Sequence, residues 1–364
     1  MLKKYDSAAV KQRFDAWWRN DLSESPLIYL VTDKDSEPPV SPRPVKNPAD
    51  IEERYTNAEY ISAGYYNYFR KAEFLGDAFP HLGLNLGAGS FALYLGCQPV
   101  FRPDTVWFSK CVDDWHTYNL KYDENNKWWK LHLDMIKRAA ELSGGEYYID
   151  MPDLVENMDI ISAMRGPENT CYDIMDYPEI IKRRLNELDD LYFKYYDKIY
   201  EIIKDANGGS SYTAFNIIGK GRTAKVQCDF NAMMSPAQFK EFVVPSLEKQ
   251  CANLDNSVFH LDGKDTIRHL PALMGIKKLN ALQWTPGAGQ PDGASEKWYP
   301  VYDAVHEAGK SKWVSVYEGD LNTRIDWAKK FVARYGIKGT YFIFGHTDRI
   351  SAAEIMKAAS NGFK

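Results

Sequence analysis

Short apolar runs that stop abruptly at polar residues or glycine, each followed by a helical stretch, set the strongest limit on how this chain can fold. The clearest instance spans Ser257 to Pro291. Ser257-Val258-Phe259-His260-Leu261-Asp262-Gly263 and Leu282-Gln283-Trp284-Thr285-Pro286-Gly287 read as two strands. Lys264 to Gly275, about 12 residues of helical pattern, completes one βαβ unit between them. Further strands are expected at 27–32, 77–82, 146–150, 225–229, 312–317 and 340–344. With 257–261 and 280–284 they make eight, and strand–helix alternation over 364 residues favours a (β/α)8 barrel over an open doubly wound sheet. No glycine-rich fingerprint follows the first strand, which argues against a dinucleotide-binding fold. The expectation is one α/β domain over residues 1–364, a TIM barrel. It carries a helical extension at 1–25 and an inserted aromatic loop or hairpin around 101–123.

Local signals support that outline. Val10, Phe14, Trp17 and Trp18 recur at helical spacing in 7–22, as expected of a helix packed on the barrel. Ser235-Pro236 with Gln238 is a capping box, which predicts a clean helix start. A net charge of −5 gives no general affinity for nucleic acid or anionic membranes. No apolar run approaches the roughly 18–20 residues of a membrane span. Met1 to Asp6 lacks an apolar signal core. Cysteines 97, 111, 171, 228 and 251 are odd in number and scattered, unlike a disulfide framework. A cytoplasmic protein with reduced thiols is expected.

Polar groups at the C-terminal ends of barrel strands are where such folds keep their chemistry. Those ends carry Asp150 and Asp153, Cys228 and Asp229, His260 and Asp262, Gln283 and Trp284, Glu318 and Asp320, and His346 with Asp348. His260 and Asp262 lie two apart in one strand and point the same way. Thiol, imidazole and carboxylate from several strands suit zinc, and serve equally as general acids and bases. Each also has a plainer reading. Cys228 in an apolar strand is commonly a packed small residue, and Glu318 or Asp320 is placed to cap the following helix. His81, His116, His132, His269 and His306 have no supporting context.

The same strand ends carry a resemblance to a known family. Asp77-Ala78 through Asn85 and Gly96, Met164-Arg165-Gly166 before Asp176-Tyr177-Pro178-Glu179, Ser235-Pro236-x-x-Phe239-x-x-Phe242, His260-x-Asp262-Gly263, Gly309-Lys310 and Gly345-His346 resemble the uroporphyrinogen decarboxylase superfamily. That superfamily also holds the corrinoid-linked methyltransferases. The resemblance runs from about Ser25 to Ile355 and implies a (β/α)8 barrel with its funnel at the C-terminal face.

Departures from the pattern separate the branches. Where the decarboxylases keep paired arginines after the first strand, this chain reads Leu30-Val31-Thr32-Asp33-Lys34-Asp35, which repels a polyanion rather than clamping it. The family's pyrrole-binding aspartate falls at Asn85, and His346 matches the histidine near the last strand. The methyltransferase branch is closer. Its His-x-Cys zinc pair is here His260-x-Asp262, and its later cysteine falls near Glu318.

The resemblance therefore implies a methyltransferase moving a methyl group from a small ether- or amine-type substrate to a corrinoid protein. It implies His260, Asp262, Glu318 and His346 as catalytic residues, and Asn85, Gln283, Trp284 and Tyr317 as substrate contacts. Zinc would be held by His260 and Glu318, completed by Cys228 or Asp262, and superfamily members often pair as homodimers. The alternatives are a decarboxylase of a tetrapyrrole or small aromatic acid, and a non-catalytic ligand-binding barrel.

Overall fold

A computed structural model describes residues 7–36 and 40–364. The Met1–Asp6 stretch, and 37–39 of the proline-rich excursion after the first strand, lie outside the described residues. Strands follow in chain order: β1 Leu27–Asp33, β2 Ala72–Gly76, β3 His81–Leu82, β4 Pro99–Phe101, β5 Val106–Phe108, β6 Tyr148–Met151 and β7 Gly209–Tyr212. They continue with β8 Ile217–Lys220, β9 Thr223–Gln227, β10 Asn256–Asp262, β11 Ala281–Thr285, β12 Ser311–Ser315 and β13 Thr340–His346.

A seven-stranded sheet runs in the order β2-β1-β13-β12-β11-β10-β9, and a four-stranded sheet in the order β3-β6-β7-β8. The first is parallel except for β2, which pairs antiparallel with β1. In the second, β8 turns back antiparallel on β7. The α/β class and the mostly parallel sheet are as expected, and the arrangement is consistent with a TIM-like domain. Among the described residues the pairing does not close into a continuous ring. The β4–β5 hairpin stands inside the aromatic stretch read as an insertion.

Side-chain alternation fixes which face of the large sheet is inner. One row across the parallel strands is Gln227, His260, Gln283, Trp313 and Tyr341, each in register with the next. Successive residues of a strand point to opposite faces. Val314 and Phe342 therefore face outward, where Phe342 packs edge-on to Phe331 of the helix Leu321–Tyr335 at 5.5 Å. The inner row meets the turn between β7 and β8. Trp313 Nε1 donates to the Phe215 carbonyl at 2.8 Å, and Tyr341 donates to the Asn216 carbonyl at 2.7 Å. From the other sheet, His81 Nε2 meets Asn216 Oδ1 at 2.9 Å. This turn thus bridges the two sheets.

The helix Ser7–Trp18 closes the opposite end. Trp17 Nε1 donates to Gly339 O at 3.1 Å, Trp18 Nε1 to Ile218 O at 2.9 Å, and Phe14 packs against both Phe79 and Tyr341. Burying three aromatic rings beneath both sheets stabilises the fold by several kcal/mol at about 25 cal/mol per Å².

Several expectations shift in detail. The segment read as continuous helix from Asp50 to Leu75 breaks at Asn57, which caps the helix Ala58–Lys71, and ends in the edge strand β2. The apolar run 212–218 is the hairpin turn just described. Asp320 caps the helix Leu321–Tyr335 by accepting from Thr323 N at 2.8 Å, and the Ser235–Gln238 capping box forms. No helix among the described residues is long and apolar enough to cross a membrane.

Candidate active site

The inner row leads upward to the C-terminal ends of the strands. Two residues beyond His260, Gln283 and Trp313 come Asp262, Thr285 and Ser315, on the same face and nearer solvent. Asp262, Gln283, Thr285, Ser315, Tyr317 and Glu318 line a cavity of about 550 Å³. Asp292 shapes its rim. This buried carboxylate accepts from Ser315 Oγ at 2.7 Å, from Tyr317 N at 2.6 Å and from Glu318 N at 2.8 Å. It thereby fixes where the Tyr317-Glu318 turn stands.

His260 sits one layer deeper. Its Nδ1 is hydrogen-bonded to Gln283 Oε1, and its ring lies 5.1 Å from that of Phe215. Burial and then the charge of Lys225 hold its pKa below the ordinary imidazole value, so the neutral ring is favoured. Gln283 in turn donates to Thr285 Oγ1 at 2.8 Å. The chain from His260 through Gln283 to Thr285 joins the half-buried imidazole to the cavity wall.

A second polar group adjoins it. Lys225 Nζ lies 2.7 Å from Asp153 Oδ2, and Tyr212 donates to the other oxygen of Asp153 at 2.9 Å. Gln227 Nε2 donates to Asp159 at 3.0 Å and to Asp229 at 3.1 Å. Desolvation and then the charge of Asp159 push Asp229 up to about 7, while Glu156, buried beside Gln227, is pushed up to about 8. A carboxyl near 7 exchanges a proton readily at neutral pH.

The expected site residues distribute as follows. Asp262, Gln283, Tyr317 and Glu318 share the cavity, with His260 reached through Gln283. Trp284 also lines it, yet its indole is fully buried and packs edge-on to Trp298 at 5.2 Å, on the helix side of the sheet. Asn85 lines a different cavity, beside the helix Ala58–Lys71. His346 stands on the exposed rim, its Nε2 3.4 Å from Asp33 Oδ1. Cys228 is fully buried, and burial followed by the charges of Asp159 and Asp229 raises its thiol well above the usual range, which disfavours the thiolate a metal needs. Among the described residues no group of three or more His, Cys, Asp or Glu side chains is placed to hold a metal ion. The expected zinc set of His260, Glu318 and Cys228 therefore does not fit as a unit.

No family model matches this chain, and no curated protein matches it. A solved structure does. It is a methyltransferase from Methanosarcina mazei, with a TM-score of 0.61 over 97% of this chain and 98% of that one. Sequence identity is 11%, so the likeness is one of fold.

Sequence reasoning passed over Lys225, Gln227, His81 and Asn216. The signal for the first pair was present: Lys225, Gln227 and Asp229 alternate along one face of an otherwise apolar strand. For His81 it was weaker, because its partner Asp150, at 2.7 Å, comes from another strand.

Proposed function

We propose that this chain is a methyltransferase that carries a methyl group from a small ether- or amine-type substrate to a corrinoid protein. What carries the reading is the gathering of Asp262, Gln283, Tyr317 and Glu318 round one cavity, beside half-buried His260, on a fold shared almost end to end with a protein named a methyltransferase. On this reading the two sheets make one (β/α)8 barrel with its site at the C-terminal face.

The residues divide the work by depth. Asp262 and Glu318, exposed at the rim, and Tyr317, 52% exposed, leave the mouth open to a partner protein. A reduced corrinoid bound there would supply the acceptor for the methyl group. Departure of the demethylated oxygen or nitrogen calls for a proton or a hydrogen bond. Asp229, near 7, is able to hold that proton, whereas neutral His260 gives its Nδ1 hydrogen to Gln283 Oε1 and keeps Nε2 as an acceptor, suited to taking a proton up. A polyanionic tetrapyrrole would need an arginine clamp. Among the described residues lining this cavity and the one beside Asn85, Arg54 is the one arginine.

The test is methyl transfer from a panel of methyl ethers and methylamines to free reduced cobalamin, followed by the absorbance of methylcobalamin. Turnover with one donor class, reduced by about 100-fold or more in His260→Ala, supports the proposal. Carbon dioxide release from an aromatic acid, with no methylcobalamin from any donor, overturns it.

A further inference from the structure

The second cavity, about 570 Å³, is built differently from the first. Ile61, Gly64, Tyr65 and Tyr68 follow the i, i+3, i+4, i+7 spacing that marks one face of a helix. Such a face is ordinarily spent on the core. Here it forms the wall of an open cavity, with Tyr60 beside it and Gly83 and Asn85 opposite. Tyr65 and Tyr68 are 39% and 43% exposed, and a Cβ placed on Gly64 would meet no atom within 4 Å. Glycine there keeps the wall hollow between rings.

Behind Gly83 lies Asp150. A Cβ on Gly83 would first meet Thr213 Oγ1 and then Asp150 Oδ2, at 3.5 Å, so Thr213 packs between glycine and carboxylate. Asp150 is 1% exposed. One oxygen engages His81 at 2.7 Å and the other, Oδ1, is buried with no hydrogen-bond partner. The Asp150 charge acts on Tyr29 and Tyr65, and Tyr29 also lies within the fields of Tyr68 and Tyr317. Tyrosine rings present their negative faces to a cation; the Asp150 carboxylate is paired with His81, so the rings carry the attraction. Arg54, the one cation among the described lining residues, is exposed, where solvent screens it.

We propose that this cavity is a binding site for a small organic ammonium ion, held against the exposed ring faces of Tyr65 and Tyr68. The methyl-transfer reading rests on the other cavity, whose lining shares no residue with this one. The two readings are tested apart, because binding is measured without any methyl acceptor.

The experiment is calorimetric titration of the full chain with choline and tetramethylammonium, and with dimethylbutanol, the uncharged carbon isostere of choline. Expected is binding of both cations in the millimolar range or tighter, with the isostere at least about tenfold weaker. Tyr65→Ala and Tyr68→Ala each weaken the cations several-fold. Tyr65→Phe retains binding, since the ring face and not the hydroxyl does the holding. These side chains are partly exposed, so circular dichroism should show the variants folded. Equal affinity for choline and its neutral isostere, or no heat from either cation at millimolar concentration, overturns the proposal whether or not methyl transfer is seen.

Discussion

Lys225 Nζ and Asp153 Oδ2 meet at 2.7 Å, with Lys225 2% and Asp153 7% exposed. An ammonium buried this deeply is tolerated only because the carboxylate beside it returns the desolvation cost. Lys225→Met leaves Asp153 charged and unmatched, and is expected to destabilise the chain by about 3–5 kcal/mol. The double variant Lys225→Met/Asp153→Leu should cost less than either single change. Denaturant midpoints of the four proteins measure the coupling, and simple additivity would show the pair to be independent.

Glu156 gives a second handle through pH. Its folded pKa, about 8, lies above the ordinary glutamate value because the charged form is desolvated. A raised acid is favourable to the fold while protonated, and this advantage is lost as pH rises through about 8. Glu156→Gln retains an acceptor for Gln227 N–H, now at 3.1 Å, and carries no charge. It should be more stable than the parent at pH 9 by roughly 2 kcal/mol or more, and nearly equal near pH 5. Thermal midpoints at the two pH values decide it.

His132 works in the other direction. It is fully buried between the Tyr94 hydroxyl, at 2.7 Å, and Leu84 O, at 3.1 Å, and burial lowers its pKa to about 4. The unfolded chain takes up a proton near 6.5 that the folded chain refuses until about 4. Stability is therefore present above the unfolded value and lost as pH falls through that window, by at most about 3 kcal/mol. His132→Gln, which does not titrate, should flatten this slope in denaturation curves taken from pH 7 to pH 4.

Cys97 and Cys111 have their sulfurs 3.2 Å apart, and all five cysteines are free thiols. The hydrogen bond between them holds Cys111 below the usual thiol pKa and lifts Cys97 above it. Peroxide should oxidise Cys111 first, to a sulfenic acid, and the Cys97 thiol then attacks its sulfur, releasing the hydroxyl as water and closing a disulfide. Peptide mapping after mild peroxide should find this pair linked and Cys228 unmodified. Preferential oxidation of Cys228 would count against the geometry.

The parallel strands were legible because each carries its own apolar run and its own polar stop. The register that aligns His260 with Gln283 follows once both strands are placed. What stayed hidden depends on partners distant in sequence. His81 looks featureless until Asp150 arrives from β6, and Asp292 reads as part of a loop until three donors converge on it. The hairpin at 209–220 showed in the sequence only as an apolar run at 212–218, because its turn residues Phe215 and Asn216 adopt left-handed backbone angles without a glycine to announce them. The cysteine pair was missed for a similar reason. Scatter along a sequence says little about which thiols meet.

That hairpin turn also sets an order of events. Its bonds to Trp313, Tyr341 and His81 span 98, 125 and 135 residues of chain. The bonds to Trp313 and Tyr341 need both sheets in place, and long-range contacts of this kind are slow to close. The turn is thus a clasp fastened late, and because Trp313 and Tyr341 grip main-chain carbonyls, the clasp is largely indifferent to which side chain Phe215 carries. Sequence change at that position could reshape what His260 faces while the fold stays fastened.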